Sequence, residues 1–405
     1  MTTMPLAGVR VVENASFVAG PSGCMTLAQL GADVIRVDPV GGASDYRRWP
    51  VSRRTGDSLY WTALNKGKRS VALNLRSPEG RDLLAALATA PGPAAGILVE
   101  NSVGRPWLAY DQLVRRRADL VQIHIQGHAD GRPAVDYTVN PEVGIPDVTG
   151  PLGLSGPVNH VLPAWDMLTG MTAVTGLLAA LYQRERTGFG SHLQIALADV
   201  ALAGVGNLGW YAEADELGAN RPRVGNHLYG SFGVDFATSD GHRVMVVALT
   251  PRQWDALRSV TKTEEVFSAL ESALGVDLSE ETDRYTLRET IAAILRPWFE
   301  ARTLSDVTRD LEAAQVLWSR YRTMADTVRA LNDNDPECVL TRVDQPGIGS
   351  VVSSRSPIRT DDGYGSALPA PELGQHTDEV LEQILGLSPI ECGRLQDAGV
   401  VAGAA

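Results

Sequence analysis

Cysteine is scarce and scattered. Cys24, Cys338 and Cys392 are the only three in 405 residues, and no CxxC pair occurs. That spacing excludes a disulfide framework and a thiolate zinc cluster, and it fits a reducing compartment. The seven histidines form no HExxH and no evident pair of metal ligands. Neither a GxGxxG after the first predicted strand nor a GxxxxGK[ST] occurs anywhere, so NAD and ATP chemistry have no direct support. Excess positive charge is missing too: the formal charge is −12, which argues against nucleic acid or an anionic membrane as partner. A phosphorylated ligand stays open, since it responds to local charge. Met1 to Leu6 shows no basic region leading into an apolar run, so no secretory signal is read there. The most apolar stretch, Met167 to Leu181, is shorter than a bilayer span and is interrupted by Thr and Gly. These absences describe a soluble, cytoplasmic protein.

What is present is ordinary globular material, 44% hydrophobic and 21% charged, in a chain long enough for two domains. The first third alternates predicted strands and helices. Gly8–Asn14, Asp33–Asp38, Ser70–Leu75, Gly96–Asn101 and Val121–Gln126 read as strands, with helices at Ser22–Leu30, Asp82–Ala90 and Tyr110–Leu120 between them. Ser77-Pro-Glu-Gly is a helix start, with a capping serine, a proline at the first helical position and an acid beside the dipole. This alternation predicts a parallel sheet covered on both faces. From about Tyr229 the texture changes. Phe232–Thr238, a Ser-Asp-Gly turn and His242–Leu249 read as a β-hairpin, followed by helical, charge-mixed segments to about Tyr321. No internal repeat or low-complexity tract occurs.

The segment His160-Val-Leu-Pro-Ala-Trp-Asp-Met-Leu-Thr-Gly170 places a lone carboxylate, Asp166, at the start of an apolar helix. Pro163 suits a first helical turn, and Gln183-Arg-Glu-Arg-Thr-Gly188 supplies a basic last turn and a terminal glycine. From Met167 to Tyr182 nearly every residue is apolar or small, so the helix is expected to be buried. Unpaired N–H groups and the macrodipole favour an ionised Asp166. Local sequence leaves two readings, an ordinary first-turn aspartate or a carboxylate held to attack an acyl group.

Six blocks, in order and over nearly the full length, resemble the family III CoA-transferases. They are Leu6–Glu13 with Ala19-Gly-Pro21 and Leu30–Asp38; Asn65–Gly80; Leu98-Val-Glu-Asn101; the Asp166 helix through Gly190; Arg223-Val-Gly-Asn226; and Pro369–Glu379. The resemblance implies that Asp166 is the catalytic nucleophile. It would take the acyl group of a thioester as a mixed anhydride and then hold CoA as an aspartyl thioester. It further implies that CoA contacts Arg36, Leu73, Arg76, Asn101 and Arg105, near the ends of predicted parallel strands, where open α/β sheets bind ligands. Arginine suits the CoA phosphates. The basic turn Lys66, Lys68, Arg69 reads either as added phosphate attraction or as a solvated loop. No tightly bound cofactor is expected, CoA entering as part of the substrate.

Departures from the family pattern narrow the activity. Acyl-CoA racemases of this family carry Gly-His-Asp where this chain has Ala134-Val135-Asp136. Valine takes no proton, which argues against racemisation. Ser16-Phe17-Val18 is mostly apolar, and no glycine run occurs near Asn226 to Gly233, which argues against formyl-sized acyl groups. Asp45–Pro50, Val135–Asn140, Val158–Asp166 and Gln345–Ser350 resemble members that move CoA between the two carboxyl groups of one mesaconate. The free carboxylate of such a diacid needs a donor, and Arg47 or Arg48, Tyr137 and His160 are the candidates. Adjacent arginines point differently, so at most one of Arg47 and Arg48 should enter a pocket. A transferase using a separate dicarboxylic acid is the alternative, ahead of a racemase or a non-catalytic CoA-binding protein.

The expected architecture is α/β, with a Rossmann-like parallel-sheet large domain (1–224, completed by 331–405) and a smaller α+β domain (225–330). The resemblance further implies an interlaced homodimer, with an acyl-CoA as the other partner and neither nucleic acid nor membrane.

Overall fold

A computed structural model describes residues 4–332 and 335–404. Two compact units divide the chain. The first takes Met1–Val143, Val161–Glu213 and Leu331–Ala405, the second Gly144–His160 and Ala214–Ala330. The second unit thus starts earlier than the change of texture suggests and includes a piece ahead of the Asp166 helix. Its Arg223 explains the capture: the guanidinium donates to the Asp147 and Leu154 carbonyls, and Gly225 N–H donates to Gly150 O.

In the first unit, β1 (Arg10–Asn14), β2 (Asp33–Pro39), β3 (Arg69–Leu73), β4 (Ile97–Glu100), β5 (Val121–Gln126) and β6 (Ser191–Ala196) form a parallel sheet. Its order is β3-β2-β1-β4-β5-β6, with Val401–Ala402 added antiparallel beyond β3. β1 to β4 carry short apolar runs because both faces are covered, whereas β5 and β6 alternate apolar with polar residues. One layer packs Val12, Ile35, Leu73, Leu84 and Leu98 with the C-terminal helices; the other packs Val11, Val34, Ile97 and Ile123 with Leu27 and Leu177. The order reverses between β1 and β4, which makes that the switch point of the sheet.

The tail block Gly374-Gln-His-Thr377 closes the β3 edge. His376 Nδ1 accepts from Ser70 N–H at 3.1 Å, and Thr377 Oγ1 accepts from Ala72 N–H at 3.1 Å and donates to Ala402 O at 2.7 Å.

The helices that matter for the site are α1 (Ala19–Gln29), α2 (Leu59–Leu64), α3 (Pro78–Thr89), α4 (Asp136–Glu142) and α5 (Ala164–Thr187). Ser77 caps α3 as expected, its side chain accepting from Gly80 N–H. The predicted helix at Tyr110–Leu120 ends as one turn at Leu113. Burial of α5 is a second correction. One face packs on α1 and the sheet, whereas Met167, Leu168, Met171 and Tyr182 are exposed. A helix without a polar stripe reads as buried all round; in the single chain only half is.

The second unit is built on an antiparallel sheet, β7 (Phe232–Ala237), β8 (Arg243–Ala248) and β9 (Leu317–Arg320), with β8 central. Helices pack on it through Phe232, Trp254, Phe267 and Phe299.

Candidate active site

Asp166 lies in the first turn of α5, and the geometry of that turn is set by two features. The first is a close crossing. A Cβ on Gly170 would lie 2.4 Å from Ser22 Oγ and 2.7 Å from Ala19 O, and one on Gly23 would lie 2.7 Å from Gly170 O. Only glycine lets the backbones of α1 and α5 approach this closely. The crossing fixes the first turn of α5, and with it Asp166, against the N-terminal half of α1.

The second feature is the cap. No side chain at Pro163 itself serves the N-terminus of α5. Instead Asp136 Oδ2 accepts from Trp165 N–H at 2.8 Å and Asp166 N–H at 3.1 Å, while Trp165 Nε1 donates to Asn140 Oδ1 at 3.0 Å. Asp136 is 1% exposed. It answers two of the orphaned donors of a helix start and sets a second carboxylate beside Asp166. Burial first, and Asp136 second, push the Asp166 carboxyl up to about 7, against a pull from Arg48. A carboxylate so perturbed by burial and a like charge is a functional-site signature.

Arg48 and Arg47 have different surroundings. The Arg48 guanidinium lies 5.5 Å from the Phe17 ring and 5.5 Å from the Tyr60 ring. Arg47 lines a separate cavity of about 680 Å³ with Thr55, Asp57 and Gln345. Tyr60, on α2, is pushed up to about 12 by burial and feels the charges of both Arg48 and Asp166. Phe17 holds a left-handed backbone, φ 69°. Its N–H donates to Asp45 Oδ2 at 2.8 Å, and Ser16 exchanges two hydrogen bonds with the Asn101 side chain.

A crevice of about 310 Å³ opens at the switch point, lined by Asn14, Phe17, Asp38, Asn101, Ser102 and Arg105 among others. Arg105 donates to Asn14 Oδ1 at 2.7 Å. Asn101 and Arg105 are thus brought together where ligands bind such sheets. Arg76 is exposed at the β3–α3 junction, outside that crevice.

Three expectations need correction. Arg36 is 1% exposed and donates to Glu13, Asp38, Asp45 and Asn65. With its N–H groups engaged by carboxylates it presents nothing to a phosphate; a strand-end arginine and an ion-network arginine look alike in sequence. Leu73 is fully buried in the sheet core, so its side chain contacts no ligand. Two of the three cations of the basic turn, Lys66 and Lys68, are likewise internal. Lys68 is buried against Glu13, Lys66 donates to Ser354, and Arg69 pairs with Asp33.

Tyr137 is 48% exposed and donates to Val161 O at 3.3 Å. His160 falls in the second unit. Sequence reasoning missed Tyr60 altogether and read Asp136 only as part of a motif. The pairing of Asp136 with the α5 N-terminus spans thirty residues and has no local signal.

Residues 6–377 match the family described as CoA-transferase family III. The chain is 51% identical over 404 residues to 2-methylfumaryl-CoA isomerase of Chloroflexus aurantiacus, covering 98% of each. It is 29% identical over 399 residues to succinyl-CoA:mesaconate CoA-transferase of Haloarcula marismortui, covering 93% of this chain and 96% of that one. A CAIB/BAIF family protein from Brucella suis has the same fold, with a TM-score of 0.77 at 26% identity over 94% of this chain and all of that one. Sequence blocks, parallel sheet and full-length relatives agree: the chain belongs to CoA-transferase family III.

Proposed function

We propose that the protein moves CoA between the two carboxyl groups of one mesaconate, converting 2-methylfumaryl-CoA to 3-methylfumaryl-CoA with Asp166 as nucleophile. The observation that carries this reading is the 51% identity, over nearly the whole chain, to a relative named for that isomerisation.

In this reading an Asp166 oxygen attacks the thioester carbonyl, the C–S bond breaks, and a mixed anhydride and CoA thiolate result. The thiolate attacks the Asp166 acyl carbon, expelling the diacid and leaving an aspartyl-CoA thioester. The diacid turns, and its other carboxylate attacks that thioester, giving a second anhydride and thiolate. Attack of thiolate on the substrate acyl carbon restores Asp166 and releases the isomer. No net proton moves, which agrees with Val135 where a racemase has histidine. A half-buried carboxylate that is costly to ionise is a better nucleophile than a fully solvated one, and a retained diacid presents its second carboxylate at high effective concentration.

In the same reading the CoA moiety lies over the crevice at the switch point, with Arg105 and Asn101 as contacts and Arg76 at its margin, and Arg48 receives the free carboxylate. The exposed apolar face of α5 suits a partner surface, consistent with a homodimer. The enzyme works in the cytoplasm without a tightly bound cofactor. Asp166→Asn tests the core of the proposal: turnover of 2-methylfumaryl-CoA is lost while acyl-CoA binding persists, and retained turnover removes Asp166 as nucleophile.

A further inference from the structure

The loop ahead of α1 is strained, and the strain is maintained from the core. Phenylalanine rarely takes a left-handed backbone, and a non-glycine residue held there points to function when its surroundings over-determine it. Here they do. Asp45, which fixes the Phe17 N–H, is itself 1% exposed and held by Arg36, and Asn101 fixes Ser16 from the far side. The result is a Phe17 that both lines the switch-point crevice and carries Arg48 over its ring. Tyr60 offers Arg48 a second ring at the same distance. An exposed arginine ordinarily samples many rotamers; this one has two aromatic supports and stands within electrostatic reach of Asp166.

We propose that Phe17 and Tyr60 are specificity-determining residues that act through Arg48. By seating its guanidinium on both rings they turn it into a fixed receptor for a second carboxylate, so that the site selects dicarboxylic over monocarboxylic acyl-CoA thioesters. This rests on the reading of Asp166 as nucleophile and deepens it by assigning the substrate class to named side chains. A planar guanidinium held on rings keeps its edge free for bidentate carboxylate contact, and the cation–π attraction favours the charged group where it stands.

The test is binding, measured calorimetrically on an Asp166→Asn background so that no thioester is consumed. Succinyl-CoA and butyryl-CoA differ by the terminal carboxylate, and their affinity ratio reads the receptor. Arg48→Ala should abolish the preference for succinyl-CoA. Phe17→Leu and Tyr60→Leu should each cut it about fivefold by weakening butyryl-CoA little and succinyl-CoA much. Phe17→Tyr and Tyr60→Phe, which keep a ring, should retain it, a pattern that a general loss of fold cannot give. Added to Arg48→Ala, neither Leu substitution should change the ratio further. An unchanged ratio in both Leu variants overturns the proposal, and so does a Leu effect that persists without Arg48. Because the readout is binding of any diacid thioester, it stands apart from turnover: a protein that fails to isomerise 2-methylfumaryl-CoA loses the proposed function without altering this ratio.

Discussion

Asp136→Asn separates the two tasks of Asp136. Asparagine keeps an oxygen that can accept from Trp165 N–H and Asp166 N–H, so the first turn of α5 stays capped, but the charge is gone. Asp136 Oδ2 lies 3.1 Å from the Asp166 nitrogen, which places the two carboxylates on the order of 6 Å apart. At an effective dielectric of about 20, two unit charges at that distance interact by roughly 3 kcal/mol, or about two pKa units. That is an upper bound. Burial is the larger cause of the rise from 3.8 to about 7, and Arg48 pulls the other way; a drop of about one unit, roughly 1.4 kcal/mol and inside that bound, is the expected effect of removing the Asp136 charge. The acidic limb of the pH–rate profile should therefore move from near 7 to near 6. At pH 6 the ionised fraction of Asp166 rises from about a tenth to about a half, while above pH 8 the variant should gain nothing and lose some rate, because a less basic carboxylate is a weaker nucleophile. The assay is kcat/KM for thioester isomerisation between pH 5 and 9. A midpoint that stays put or moves upward would refute the assignment of Asp136 as the charge that holds Asp166 partly protonated.

Other consequences follow from the same geometry. Since the native carboxyl of Asp166 binds its proton more tightly than the unfolded one, stability falls as pH rises from about 4 to about 7. Asp166→Asn should therefore be more stable than the parent at pH 8, by at most about 4 kcal/mol, with the gap closing toward pH 4 in denaturant titrations; no gain at pH 8 would contradict the buried-carboxylate description. Gly170→Ala forces a methyl onto Ser22 Oγ and Ala19 O and should cost about 2–3 kcal/mol and lower turnover of the folded enzyme, whereas a neutral effect would mean that α1 and α5 can separate freely. Arg36→Met should remove about 3 kcal/mol or more of stability by leaving carboxylates buried and uncompensated yet hold CoA affinity of folded protein within about twofold. Arg105→Ala should do the reverse, weakening CoA about tenfold with little change in melting temperature; the opposite pattern would return Arg36 to the ligand.

The parallel sheet was legible because its strands are apolar or alternating runs separated by helix starts with recognisable chemistry, Ser77-Pro78 above all. The Asp166 helix was legible for the same reason, from Pro163 to Gly188. What local sequence could not supply were long-range pairings between polar residues. Arg36 and Lys68 look like surface cations until Glu13, Asp38 and Asp45 are seen around them. Asp136 reads as a helix-starting acid on α4, and its effect is on α5. Tyr60 sits in a short helix with no pattern to mark it, and only the folded loop brings it against Arg48. The second unit's claim on 144–160 rests on Asn220, Arg223 and Gly225 reaching back across some seventy residues.

The central claim is that CoA passes between the ends of one diacid by way of Asp166. Incubation with 2-methylfumaryl-CoA in the presence of isotopically labelled free mesaconate, followed by separation of the CoA esters, tests it most directly. Intramolecular transfer predicts the isomeric ester free of label at all times. Label entering either ester in step with its formation would contradict that claim and make the protein a transferase with a separate acid acceptor.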